Sequence, residues 1–141
     1  MRRPLVAGNW KMHGSRQSVD ALLNGLVEQE WPEGVELMIA PPALYIDRCV
    51  DRLQGSPLSV GGQTCATQAE PGALTGEISP AQLRDVGCGY VLVGHSERRT
   101  LFGESDAVVC KKFAAALACG LRPVLCVGES QAERDAGQTA D

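Results

Sequence analysis

The sequence predicts an α/β fold in which the strands of a parallel β-sheet alternate with helices along the chain. Short apolar segments recur, amphipathic segments separate them, and the connections between the two kinds of segment are short. The apolar segments lack the period-two alternation of a half-exposed strand, so we expect strands that are buried on both faces. Such strands belong in a parallel sheet, with a right-handed crossover at each step from strand to strand.

Five apolar runs are the predicted strands. They are residues 5–10, 37–40, 58–62, 90–93 and 123–127. Between them, apolar residues recur at positions i, i+3, i+4 and i+7, which fall on one face of a helix. This spacing predicts helices within residues 19–27, 46–53 and 109–117.

Capping residues predict where further helices begin and end. Ser79 before Pro80 is a typical N-cap followed by proline at the first helical position. The sequence SQAE at residues 130–133 is a capping box. Gly120 and Gly137 supply the expected helix stops. The chain therefore repeats a strand–helix unit five times.

Periodicity alone leaves two architectures open, a doubly wound sheet and a (β/α) barrel. The first predicted strand leads into GNWK at residues 8–11 and not into a glycine-rich GxGxxG turn. That difference lowers the expectation of a dinucleotide-binding fold.

Size and composition are those of one folded domain, which we assign to residues 1–141. The chain is 44% hydrophobic and 21% charged, with a net charge of −4. Basic residues form no cluster longer than a pair, so nucleic acid is not an expected partner. An anionic substrate would need local positive charge. No apolar run is long enough for a bilayer span or a signal peptide, and we expect a cytoplasmic protein.

The cysteine and histidine content argues against a metal site. There are six cysteines without a CxxC pair, and the two histidines are His13 and His95. A zinc centre is therefore not expected. Most of the cysteines lie in apolar or Ala/Gly-rich sequence, which predicts free, buried thiols.

Two strand ends present residues that can perform chemistry. Asn9 and Lys11 follow the first strand two positions apart, so on a continuing strand they point to the same side. An amide and an ammonium together suit a phosphate or a carbonyl oxygen. His95 follows the fourth strand, where a histidine can serve in acid–base or electrophilic catalysis. Taken singly, a solvated lysine and a structural histidine are the plainer interpretations.

The residues after His95 favour a functional role for it. Ser96 and Glu97 would begin a helix whose amides lower the imidazole pKa and keep the ring neutral. Glu97 could pair with Lys11 across the site or with a neighbouring arginine, and Arg98 and Arg99 are expected to form structural ion pairs. For Glu129, a site role and a helix-capping role are equally supported.

One long loop, residues 63–78, stands out from the short connections. Loops of this length in a compact domain usually serve a function. Its apolar Ala73 and Leu74 predict that the tip is covered, for example by a second subunit.

Five motifs, in order, resemble the triosephosphate isomerase family. They are AGNWKM at residues 7–12, TGEIS at 75–79, VGHSERR at 93–99, FGE at 102–104 and VLCVGE at 124–129. The resemblance covers essentially the whole chain, and the ordered set is more specific than any one motif. It implies a TIM barrel, (β/α)₈, of which strands 1–5 and their helices are present here.

The resemblance also implies an activity and roles for particular residues. The family interconverts dihydroxyacetone phosphate and glyceraldehyde 3-phosphate through an enediolate, in glycolysis and gluconeogenesis, as a homodimer without cofactor or metal. Asn9 and Lys11 would bind substrate, and Lys11 would stabilise the enediolate charge. His95 would be the neutral electrophile, a role for which this family is the established example. Ser96 and Glu97 would support the site, and Thr75 would reach a neighbouring subunit.

The expected catalytic base is not among these motifs. In the family a glutamate after the sixth strand removes the proton, and a complete barrel needs about 250 residues. We therefore expect the 141-residue chain to be inactive alone, and marginal, oligomeric or partly molten because its first and fifth strands have unpaired edges. A non-catalytic half-barrel that binds a partner remains an alternative, and another phosphate-binding barrel isomerase is a weaker one.

Overall fold

The computed structural model describes residues 3–139 and contains five parallel strands in one curled sheet. The strands are β1 (Leu5–Asn9), β2 (Glu36–Ala40), β3 (Leu58–Gly62), β4 (Tyr90–Val93) and β5 (Arg122–Leu125). The helices are α1 (Arg16–Val27), α2 (Ile46–Arg52), α3 (Pro80–Asp85), α4 (Ser96–Phe102), α5 (Asp106–Ala118) and α6 (Gln131–Asp135). A 3₁₀ turn, Ala43–Tyr45, precedes α2. The predicted strands are confirmed to within two residues at each end.

Strand order resolves the choice between the two architectures. Neighbouring strands follow chain order, β1-β2-β3-β4-β5, and all four pairings are parallel. A doubly wound sheet would reverse its order at a switch point, whereas a barrel does not. The chain is therefore a partial (β/α) barrel, a half-barrel in which β1 and β5 are the end strands of the described sheet.

The main core lies between the outer face of the sheet and the helices. Leu37 and Ile39 of β2 and Val91 and Val93 of β4 face outward into this core. It also contains Val19 and Leu23 of α1, which are almost fully buried as the apolar spacing predicts, whereas Leu22 and Val27, which follow the same spacing, are 46% and 48% exposed. A second apolar cluster occupies the inner face, and consists of Met38, Ala40, Tyr90 and Leu92 with Val124 packed against it.

Leu23 tests the contribution of this core to stability. We expect Leu23→Ala to lower the free energy of unfolding by about 3 kcal/mol, because the residue is 0% exposed and its removal leaves a cavity. Urea unfolding followed by circular dichroism measures the change, with the chain joined to the remaining strand–helix units of a closed barrel. Leu22→Ala is the matched control, since the Leu22 side chain is 46% exposed. Equal losses in the two variants would contradict this assignment of the core.

A polar cluster lies at the amino-terminal end of the inner face. The Tyr90 hydroxyl donates to the carboxylate of Glu36, which also accepts a 2.6 Å hydrogen bond from Arg122. The Arg122 guanidinium stacks 4.5 Å from the Tyr90 ring centroid. Burial and the Glu36 hydrogen bond raise the pKa of Tyr90 to about 12. These contacts join the starts of β2, β4 and β5 and leave the opposite end of the sheet for the site.

The predicted helix starts are confirmed. Ser79 and Ser130 each accept a hydrogen bond from a backbone N–H of the first helical turn and complete a capping box. Gly120 and Gly137, the predicted stops, both have positive φ, which glycine adopts without steric cost. No helix within residues 3–139 combines the length and apolar character needed to cross a bilayer.

Candidate functional site

A cavity of about 230 Å³ lies at the carboxyl ends of the strands. It gathers residues from β1, from the loops after β1, β3 and β4, and from α4. Its lining consists of Asn9, Lys11, Met12, Gln63, Thr64, His95, Glu97, Arg98 and Phe102. Four of the predicted site residues thus meet at one place, as parallel strands require of their carboxyl ends, namely Asn9, Lys11, His95 and Glu97.

Lys11 reaches the cavity by a different backbone route from the one that the sequence predicts. The first strand ends at Asn9 and not at Trp10, and Lys11 has φ 52°. The expectation of a continuing strand is therefore wrong. The reason is local, because the Asn9 side-chain Oδ1 accepts the Lys11 backbone N–H at 2.9 Å and turns the chain away from the sheet.

The Lys11 ammonium is held by Glu97 of α4. This is the first of the two partners predicted for Glu97, the other being a neighbouring arginine. The distance from Nζ to Oε1 is 2.6 Å, and both side chains are about half exposed. The hydrogen bond from Lys11 is the main cause that lowers the pKa of Glu97, with a further contribution from the lysine charge. Glu97 therefore stays ionised at neutral pH and fixes the ammonium at the cavity wall.

This pair predicts an acid-dependent contribution to stability. Because the folded-state pKa of Glu97 lies below its ordinary 4.5, the contribution is complete above pH 4.5 and is lost as pH falls through the lower folded value. We expect Glu97→Gln to be less stable than the parent at pH 7, and the gap to close as pH falls below 4.5 and through the folded-state pKa of Glu97. Urea midpoints across this range measure it. A gap that is constant with pH would contradict the prediction, and Glu30→Gln, at an exposed position, is the control.

His95 is held by the start of α4. It is the N-cap residue of that helix, and its Nδ1 accepts the backbone N–H of Glu97 at 3.1 Å. A ring nitrogen that accepts from an amide has no proton, so Nε2 holds the proton of a neutral imidazole. The Glu97 carboxylate lies 3.7 Å from Nδ1, beyond hydrogen-bonding distance. The arrangement presents His95 as a neutral donor through Nε2.

Ser96, the residue after His95, is exposed. It lines a neighbouring, larger cavity of about 470 Å³ between the ends of β4 and β5. His95 borders both cavities, and the larger one is also lined by Gly94, Arg99, Asp106, Cys126, Val127 and Gly128. Ser96 therefore lies beside the imidazole but outside the lining of the Lys11 cavity.

The remaining charged residues near the strand ends form ion pairs. Arg98 pairs with Glu104 at 2.6 Å and Arg99 with Asp106 at 2.5 Å, as predicted for structural arginines. Glu129 accepts from Arg134 of α6 at 2.7 Å, which favours its local structural role. Thr75, the predicted interface residue, is exposed in the long loop and away from the Lys11 cavity lining.

Sequence reasoning missed a buried polar network beneath the site. Lys112 of α5 is 4% exposed, and its ammonium binds Glu104 and donates to the Thr64 hydroxyl at 2.9 Å. Burial raises the pKa of Glu104, but the hydrogen bonds from Lys112 and Arg98 outweigh it and leave the pKa lowered. The only sequence signal was a lysine on the apolar side of α5, next to Phe113.

The cysteines follow the prediction in part. Cys49, Cys65 and Cys88 are free and buried, and burial raises the pKa of their thiols to about 11, 11 and 12. Cys110 is free but exposed, which the apolar context did not indicate. Within residues 3–139, no three Cys, His, Asp or Glu side chains are placed together as metal ligands would be.

Sequential parallel strands with polar groups gathered at their carboxyl ends define a barrel-type protein whose site lies at that end. The sequence profile described as triosephosphate isomerase matches residues 4–141. The triosephosphate isomerase of Pseudomonas paraeruginosa is 59% identical over the whole chain, and that of Pseudomonas fluorescens is 57% identical over the same length. The Pseudomonas entomophila protein of the same name is 58% identical over 139 residues, or 99% of the chain.

The chain belongs to the triosephosphate isomerase family, a family of isomerase enzymes. It spans 55–56% of the length of these three relatives. The resemblance that the motifs indicated is thereby confirmed, together with the partial TIM barrel.

Proposed function

We propose that this chain supplies the first five strand–helix units of a triosephosphate isomerase, which interconverts dihydroxyacetone phosphate and glyceraldehyde 3-phosphate. The observation that supports this most directly is the meeting of Lys11, Asn9 and a neutral His95 at one cavity. The reaction needs a cation for the phosphate and the developing negative charge, and a neutral donor for the carbonyl oxygen. This cavity presents both.

The proposed chemistry passes through an enediolate. The His95 Nε2–H polarises the substrate carbonyl and exchanges a proton with its oxygens, while the Lys11 ammonium stabilises the oxygen that becomes negative. The Asn9 oxygen is engaged by the Lys11 backbone N–H, so its contact with substrate comes from the amide Nδ2. Glu97 supports the site by holding Lys11, and no cofactor or metal enters this scheme.

Proton removal from carbon needs a base that residues 3–139 do not place in the cavity. The carboxylate there, Glu97, is paired with Lys11, and Glu129 is paired with Arg134. We propose that a carboxylate from the rest of a complete barrel fills this role, and that the 141-residue chain is inactive without it.

The test compares the chain with a chimera in which it is joined to the C-terminal remainder of the Pseudomonas paraeruginosa relative. We call this chimera the completed barrel. Turnover of glyceraldehyde 3-phosphate is measured for both, with His95→Gln versions as controls for contaminating isomerase. We expect no activity above control from the chain and full isomerase activity from the completed barrel. A folded but inactive completed barrel would overturn the proposed function.

We also propose that the complete protein is a cytoplasmic homodimer of glycolysis and gluconeogenesis, joined through residues 63–78. The exposed Thr75 and Leu74, which is 41% exposed, support this use of the loop. Analytical ultracentrifugation of the completed barrel tests the proposed dimer, and a monomer at micromolar concentration would overturn it.

A further inference from the structure

Lys11 has a backbone conformation that its surroundings must enforce. Among residues 3–139 it is the only non-glycine residue with positive φ, at 52°. A side chain with a Cβ atom disfavours this region, and such strain persists only where neighbouring contacts determine it. The position of the ammonium depends on this turn, because the side chain departs from a strained Cα.

Gln63, the first residue of the long loop, makes the contact that fixes this turn. Its side-chain Nε2 donates to the backbone carbonyl of Lys11 at 2.7 Å and to that of Ala40 at 2.9 Å. Both amide hydrogens are thus used, and the end of β1 is tied to the end of β2. Gln63 is half-buried and 52 residues from Lys11 in sequence.

We propose that Gln63 is a positioning residue that holds Lys11 in its left-handed conformation and thereby places the ammonium for catalysis. This inference rests on the proposed function, since that function gives Lys11 its role. Lys11 is then fixed at three points. Asn9 accepts its N–H, Gln63 donates to its carbonyl, and Glu97 binds its Nζ.

The buried network fixes the residues next to both supports of Lys11 in sequence. The hydroxyl of Thr64, which follows Gln63, accepts from Lys112, and Lys112 binds Glu104. Glu104 also accepts from Arg98, which follows Glu97.

Two variants of Gln63 distinguish the loss of its hydrogen-bond donor from a general loss of folding. Gln63→Glu keeps the shape but replaces the donor by an acceptor facing two carbonyls, and Gln63→Met removes the donor without adding charge. The matched control is Gln131→Glu, in helix α6 and outside the loop, where the exposed amide donates to the Asp135 carboxylate at 2.7 Å. All are made in the completed barrel and checked by thermal melting.

In the completed barrel we expect both Gln63 variants to lower kcat/KM at least about 10-fold, through kcat as well as KM, since the ammonium acts in substrate binding and in the transition state. The Gln131→Glu control should match the parent. Unchanged kcat/KM in the Gln63 variants of an active barrel would overturn the proposal. The proposal would also be overturned if Gln131→Glu lost as much activity and as much melting temperature as the Gln63 variants.

A second readout is independent of catalysis. Hydrogen exchange of the Lys11 backbone amide, followed by NMR, should be at least about 10-fold faster in the Gln63 variants, with amides of β4 unchanged. If the completed barrel is inactive in every form, the proposed function fails. Faster exchange would then still support Gln63 as the residue that holds Lys11, and unchanged exchange would overturn that as well.

Discussion

His95→Gln in the completed barrel is expected to lower kcat by about 10²–10⁴-fold, the range for loss of a positioned acid–base group. The Nδ1 atom is engaged by the Glu97 N–H, so the ring can act only through its protonated Nε2. Glutamine can donate a hydrogen bond from its amide but cannot relay a proton between two oxygens of the substrate.

The control for this prediction is His13→Gln. His13 is exposed in the loop after β1 and has no place in the cavity lining, so its replacement should leave kcat unchanged. Steady-state assays in both directions, with circular dichroism to verify folding, are the measurement. Turnover of the His95 variant within a factor of two of the parent would remove His95 from the mechanism.

The second large effect is expected on stability, from Lys112→Met. The side chains of Lys112 and Glu104 are 5% and 6% exposed, and removal of Lys112 leaves the buried Glu104 carboxylate with Arg98 as its remaining ionic partner. We expect the free energy of unfolding to fall by about 3 kcal/mol, the lower end of the range for breaking a buried ion pair. Glu104 Oε2 makes no hydrogen bond with the described residues, so only Oε1 stays paired, with Arg98.

Two comparisons make the Lys112 prediction specific. Lys111→Met, one position earlier on α5, changes an exposed lysine and should shift stability by less than about 0.5 kcal/mol. The double variant Lys112→Met with Glu104→Leu should recover much of the loss, because it removes both charges together. Urea unfolding of the completed barrel gives all three values. Similar losses for Lys111→Met and Lys112→Met would contradict the buried pair.

The network makes stability depend on pH in a definite direction. Since the folded-state pKa of Glu104 is lowered, the contribution of the carboxylate is complete above its ordinary 4.5 and is lost as pH falls through the folded value. Acid therefore weakens the pairing of Glu104 with Lys112 and Arg98.

Much of the fold and part of the site could be predicted from residue order alone. Apolar runs located the five strands, and helical spacing located the buried Val19 and Leu23 of α1, although it also placed the exposed Leu22 and Val27 on the same face. Because parallel strands share one carboxyl end, Lys11 and His95 could be expected at a common site although 84 positions separate them. The dimer, the cellular location and the roles of all the site residues stay predictions, namely those of Asn9, Lys11, Thr75, His95, Ser96 and Glu97.

The tertiary structure alone decided how these residues are held. Strand order distinguished the barrel from the doubly wound sheet, which share the same apolar pattern. The left-handed turn at Lys11, its support by Gln63 and the burial of Lys112 with Glu104 were not visible in the sequence. Apolar periodicity in the sequence indicates which face of a helix or strand is buried. A polar contact depends instead on which side chains, distant in sequence, come together in the fold. The chain order therefore determined the positions of the candidate site residues, and long-range hydrogen bonds determined their orientation.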